Sequence, residues 1–491
     1  MARNANARSI SNPNEYMASK RGEKMTKAKK DAKTMSKGRK PTLFFVLNIA
    51  VFAALLVFVM LRLFVFNEPM IPDSHSVISV PPEFFDIGEI LTQPYEEVTS
   101  VSTKYSILYR DGNYRKMYVF AVSVREVEND QYYLFDNKIY ENVDGTYGTR
   151  NKEFNVSFGK NSVSMSYKEF NFAVLLDSTG VAREEGYRNT YGETREAAKY
   201  AGAVGEIDMR CVPTYNGVLM EFGLPSKPGG KELTLEIDIG GLKYENDPAG
   251  YAQILKDENK AGMMYQGIVS DSDNICHTGN KVKITEKNKK HYLTVDLSGL
   301  PNDVGYPARL AVSFDFYCEK MFYDTSAYEA TPGTNSTLNN VTIFDTINEG
   351  CNGYTYLKYN VKSFTPKQSS MVDSFTFNFY VMSAVGSIDI EVYRLNKDFC
   401  NWLVTWKKKP NHKEKLGEFT ISGTGWHSID LTEYVKNLID RNYDKLSDNS
   451  IVLKPKNGSE GYALLASADN TYAPPFFEVN YRVREQSVQS E

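Results

Sequence analysis

Between residues 43 and 66 the chain reads LFFVLNIAVFAALLVFVMLRLFVF, and in its first nineteen residues only Asn48 is strongly polar. At about 1.5 Å rise per residue such a run makes roughly 28 Å of helix, close to the hydrocarbon thickness of a bilayer. It predicts a transmembrane helix over 41–66 and divides the chain into a short arm and a long one. Residues 1–40 hold twelve Lys or Arg against Glu15, Glu23 and Asp31, a net charge of +9. Cytoplasmic flanks carry such an excess, so the N-terminus is expected inside and residues 67–491 outside. A cleaved signal peptide would have a shorter apolar core and a small-x-small site. The residues that follow, RLFVFNEP over 62–69, offer none, so an uncleaved signal anchor is expected.

The basic tail 1–40 has almost no large apolar residues and is expected to be disordered. Its lysines are explained by topology and anionic lipid rather than by nucleic acid, which is not an expected partner. Residues 67–491 carry 44 basic and 58 acidic side chains, a balance that also argues against a polyanion. The five cysteines, Cys211, Cys276, Cys318, Cys351 and Cys400, are far apart, which excludes a small disulfide scaffold. Five prolines over 67–94 predict a semi-extended spacer.

Beyond residue 95 the apolar period becomes two. Phe154, Val156 and Phe158 alternate with polar residues, as do Val163, Met165 and Tyr167. The same holds for Leu233 to Ile239, Leu293 to Leu297 and Leu310 to Phe316. Alternation predicts antiparallel strands with one face buried and one solvated. The one helical candidate in this region is 193–200. Further on, Phe375 to Val381 predicts one strand and Ile388 to Arg394 another; Leu431, Val435, Leu438 and Ile439 fall at helical spacing.

Residues 95–320 contain GNYRKMYV (112–119), NKEFNVSF (151–158) and IDMRCV (207–212) leading to NGVLME (216–221). They resemble the N-terminal β-rich segment of bacterial Rhs and wall-associated surface proteins, without the Tyr-Asp repeats or toxin domain of that group. Residues 321–483 contain YLKYNV (356–361), Trp402 to Trp406 with Pro410, GWHSIDLT (425–432) and PFFEVNY (475–481). This order is similar to the DNRLRE domain, a jelly-roll module of surface proteins related to carbohydrate-binding modules. The resemblances imply a mostly β fold: two β-sandwich-like ectodomains, the C-terminal one a jelly roll, after a single N-terminal transmembrane helix. The remaining segment, 484–491, is a tail.

All three tryptophans lie in the C-terminal region, and aromatic rings are how proteins grip sugars. Trp406 and Trp426 sit within the repeated blocks and are expected in the core, as is Tyr356. Trp402, after a turn, and Tyr354 and Tyr328, beside the opening loops, are the candidate ligand-binding residues. No metal site is expected, because His75, His277, His291, His412 and His427 are scattered. Asp271-Ser-Asp273-Asn274 is oxygen-rich, the one place where a structural Ca²⁺ is considered. No GxSxG, SxxK or phosphate-loop motif occurs, so no catalytic residues are assigned and no enzyme is expected. The resulting expectation is a single-pass bacterial cell-membrane protein with extracytoplasmic C-terminal domains, binding polysaccharide or cell-wall glycan. The alternatives are a structural or protein-contact surface protein and a cargo-less remnant of an Rhs-type delivery protein.

Overall fold

The computed structural model describes residues 78–80, 87–91 and 93–483, apart from short breaks at 192–193, 257–258, 318–319, 337–340, 348–351, 360–364, 396–398 and 442–449. The tail, the expected membrane helix, most of the spacer and 484–491 lie outside the described residues. Among the described residues no helix is long and apolar enough to cross a membrane.

The C-terminal region is built on one 24-residue strand, Val372–Leu395, where the sequence predicted two. It continues through Gly386, at φ +69°, a left-handed conformation open to a residue without Cβ. Its first part pairs with Phe476–Arg482 on one edge and Gly425–Asp430 on the other. Its last part pairs with His412–Ile421 and with Ser450–Pro455, which leads on to Gly353–Lys358 and Tyr323–Tyr328. Alternation turns Phe375, Phe377 and Phe379 inward against Phe477, Val479, Ile390, Val392 and Leu453. Phe377 and Phe477 lie opposite each other, ring centroids 4.9 Å apart. The helix Thr432–Asp440 adds Val435, Leu438 and Ile439 to this core, as their spacing predicted.

Residues 140–316 form two further sheets. In one, Phe154–Phe158, Ser162–Tyr167, Phe170–Leu175, Glu232–Asp238 and Lys290–Asp296 are neighbours, with one face buried and one wet. The other contains Thr194–Val204, Ile207–Pro213, Gly217–Leu224 and Ala308–Phe316. Phe172 stacks on Phe314 between them, centroids 4.3 Å apart and planes 6° from parallel. Residues 194–200, where a helix was expected, are strand. Alanine's helix preference loses here because the segment is covered on both faces, Ala198 and Tyr200 by one core and Ala197 by another.

One expectation about this second sheet fails. Its outer face is not solvated: Ala197, Val212, Leu219 and Ala311 are covered by Tyr380, Met382, Leu464, Ala466 and Tyr472 of the C-terminal region. The strand Tyr114–Phe120, from the N-terminal side of the expected boundary at 320/321, pairs along Phe476–Arg482. Ser106–Asp111 and Glu96–Glu97 extend that sheet further. The seam is polar as well as apolar: Tyr380 Oη donates to Tyr191 O at 3.1 Å and Thr471 Oγ1 to Asp315 at 2.6 Å. Lys320 pairs with Asp469 at the same seam.

Candidate functional site

The outer face of the sheet holding Gly353–Lys358 collects the aromatic side chains that the core does not use. Because Leu357, Val392 and Leu453 point inward, their neighbours Tyr354, Tyr356, Tyr393 and Lys454 take the other face. A connecting segment with two 3₁₀ turns, Asn401–Leu403 and Trp406–Lys408, lies along this face. Thr405 caps the second turn, its hydroxyl oxygen accepting from Lys408 N at 3.2 Å. Phe399 and Val404 cover Tyr356, Leu395 and Val452, giving a small separate apolar cluster. Beyond that cover the face is open.

Four rings form a row on the open part. Trp406 meets Tyr354 edge-on at 5.0 Å, His412 lies 6.5 Å from Tyr354, and Tyr393 lies 4.4 Å from His412. Cations sit over the rings: Lys409 Nζ is 3.2 Å from the Trp406 centroid and 5.1 Å from that of Tyr354. Lys454 Nζ is 4.9 Å from the Tyr393 centroid. Burial lowers the Lys409 ammonium from its ordinary range, and burial followed by nearby Lys454 lowers the His412 imidazole. Glu391 receives Lys415 at 3.0 Å, Lys454 at 3.2 Å and the Tyr393 hydroxyl at 3.1 Å. Burial alone would push its carboxyl up, but the two lysines outweigh that and hold it below the usual range. The arrangement sets half-buried aromatic rings beside charged donors and acceptors, with Lys409 and Lys454 lying over ring faces, a chemistry suited to sugar rings and their hydroxyls.

The sequence candidates are divided by this geometry. Tyr354 stands in the row. Tyr328 does not: paired opposite Gly353, it shares the inner parity with Asp324 and Ser326, and its hydroxyl oxygen accepts from Ile343 N at 3.1 Å. Trp402 lies in the turn beside Leu403, which is 61% exposed; its side chain is outside the described residues. Trp406, expected in the core, is half-buried in the row, because the segment that carries it passes outside the sheet. Tyr356 is buried as expected, but beneath Phe399 on the outer face. Trp426 packs at the seam, 5.4 Å from Tyr380 and 5.3 Å from Phe476. Tyr393 and His412 were not singled out, although inward Val392 makes Tyr393 outward by parity alone.

Asp271 is committed within its own turn. Oδ1 accepts from Asp273 N at 2.9 Å and Ile275 N at 2.8 Å, and Oδ2 faces His277 Nε2 at 3.1 Å. Among the described residues no group of three or more His, Cys, Asp or Glu is placed to hold a metal ion.

No curated protein matches the chain. Among solved structures, a Paenibacillus xanthan lyase is similar at 8% identity over 81% of this chain and 40% of its own, with TM-score 0.10. A GH31 α-xylosidase from Xanthomonas citri is similar at 8% identity over 83% of this chain and 38% of its own, with TM-score 0.07. The chain thus spans well under half of either, and neither likeness carries an argument. Residues 323–481 match the model of carbohydrate-binding module family 96, which supports a carbohydrate-binding module at the C-terminal end of the chain.

Proposed function

We propose that this chain is a non-catalytic polysaccharide-binding protein of a bacterial envelope, held at the membrane by residues 41–66. Sugar rings would stack along Tyr393, His412, Tyr354 and Trp406. The observation that carries this reading is the open ring row on the outer face of the region that matches a carbohydrate-binding module. Lys409, Lys454 and Glu391 around it supply directional bonds, which set ring orientation where stacking alone is permissive. The basic tail and the apolar run support an anchored, outward-facing placement. Anchoring many copies on one surface would turn modest single-site affinity into firm attachment.

The test uses full-length protein in detergent, run by affinity electrophoresis through gels containing neutral or uronic-acid polysaccharides. Retardation by at least one polysaccharide is expected, with the dissociation constant raised about tenfold or more in Trp406→Ala and Tyr393→Ala, a loss of about 1.4 kcal/mol. Both rings are half-exposed, so both variants are expected to melt near the parent. Retardation unchanged in both, or none across the panel, overturns the reading.

A further inference from the structure

The other sheet of the C-terminal sandwich carries a second concavity, with different chemistry. It exists because Ser106–Asp111 and Tyr114–Phe120 are added to the edge of Phe476–Arg482. Register sets Tyr109 beside Lys116, Lys116 beside Asn480, and Asn480 beside Ser374, all on the outward face. At one end this face is buried, through Tyr118, Phe120 and Phe476, against the N-terminal sandwich. At the other it opens into a groove of about 380 Å³ lined by Tyr95, Tyr109, Tyr114, Asp111, Asp373 and Asn480, among others. That volume falls in the range of small-ligand clefts.

Three tyrosines converge there. Tyr109 forms part of the floor, its ring 6.5 Å from Tyr95. Tyr95 and Tyr114 stand at 40% and 42% exposure, with the Arg482 guanidinium 5.8 Å from the Tyr114 ring centroid. The cations are matched by acids: Arg110 with Glu96 at 2.5 Å, Arg482 with Asp373 at 2.9 Å and Lys116 with Glu478 at 3.3 Å. Asn480 commits its amide donors to Ser374 Oγ and Glu478 Oε1, each at 2.8 Å, so it offers a ligand its carbonyl oxygen. Asp111 adds an exposed carboxylate. The groove therefore presents ring faces and hydroxyl acceptors with no surplus of positive charge, unlike the lysine-flanked row.

We propose that this groove is a second glycan site, selective for an uncharged oligosaccharide. It extends the glycan-binding role proposed above, but it lies on the other sheet and takes its tyrosines from residues 95–114, outside the matched module. Uncharged glycans fit because Arg110, Lys116 and Arg482 are each paired with a carboxylate and Arg115, on the same hairpin, is held by Gly112 O and Tyr114 O. An acidic sugar would therefore meet Asp111 across a groove whose charges balance.

The test is isothermal titration of full-length protein with cellohexaose, mannohexaose, xylohexaose and a hexauronate. The variants are Tyr95→Ala, Tyr114→Ala and Trp406→Ala, with melting temperature as the fold check. At least one neutral hexaose is expected to show a binding component that is tenfold or more weaker in Tyr114→Ala and Tyr95→Ala and that persists when Trp406→Ala removes the row's own share. Neutral-hexaose binding lost in Trp406→Ala but kept in both tyrosine variants would place all recognition on the row and refute the groove. No binding of any neutral hexaose would also refute it, while hexauronate binding lost in Trp406→Ala would leave the row standing.

Discussion

Asp315 is a carboxylate in a place built for a neutral group. It lies on the strand Ala308–Phe316, facing away from Val312 and Phe314 into the seam between the two sandwiches, and is 3% exposed. Thr471 Oγ1 donates to it at 2.6 Å. Burial nevertheless pushes its pKa from 3.8 up to about 7, against that bond and the attraction of Lys320. Between about pH 4 and 7 the folded protein therefore keeps a proton that the unfolded chain has lost. Stability from this group is full below pH 4 and is lost as pH rises to about 7. Three pKa units at about 1.4 kcal/mol each give a change of about 4 kcal/mol. For a compact unit of about 400 residues with an unfolding entropy of about 2 cal/mol/K per residue, that corresponds to a melting shift of about 5 °C. Asp315→Asn cannot ionise. Its extra N–H costs about 1–3 kcal/mol if unpaired, but that cost does not vary with pH. Melting of full-length protein, followed by tryptophan fluorescence with Trp426 at the seam, should show the variant gaining about 4 °C on the parent between pH 4.5 and 8. A difference constant to within about 1 °C across that range would refute the reasoning.

Gly217→Ala would drive a Cβ into Phe314 O and Asp315 Oδ1. Overpacking between two paired backbones should cost about 3 kcal/mol, read as a lower guanidinium midpoint without a change of slope. Phe477→Ala removes the ring that Phe375, Phe377, Tyr359 and Phe322 all pack on. About 3–5 kcal/mol should be lost, measured the same way. His427 is stacked on Phe379 at 5.9 Å, and burial lowers its imidazole from 6.5. Stability should fall as pH drops from 6.5 toward the lowered native value, and His427→Phe should flatten that part of the melting-versus-pH curve.

Strand parity was legible wherever one face meets water: 154–158, 163–167 and 233–237 alternate in the sequence and in space. The helix at 432–440 was legible from four apolar positions. What escaped depended on partners distant in the chain. Ala197 and Ala198 read as helix because nothing local shows that two cores flank them. Asp315 read as solvated because Tyr472 and its neighbours, which bury that face, lie about 150 residues later. Within the ring row, Tyr354 was found. Trp406 was assigned to the core because its block resembles a repeated pattern, and the pattern does not say on which side of the sheet the segment runs. Tyr328 was grouped with Tyr354, whereas strand pairing puts them on opposite faces.

The pairing of Tyr114–Phe120 with Phe476–Arg482 also sets an order of events in time. Tyr114–Phe120 leaves the ribosome long before the strand it pairs with, Phe476–Arg482. At about 5–20 residues per second, the roughly 350 residues between them take about 20–70 s to make. Throughout that interval Val119 and Ala121, destined for the C-terminal core, have no core to enter, and the edge of strand 114–120 stays open to any other extended chain. Completion of this sheet is therefore tied to synthesis of residues 476–482, and a nascent chain stalled before residue 476 would display strand 114–120 paired on one side with Ser106–Asp111 and open along its other edge.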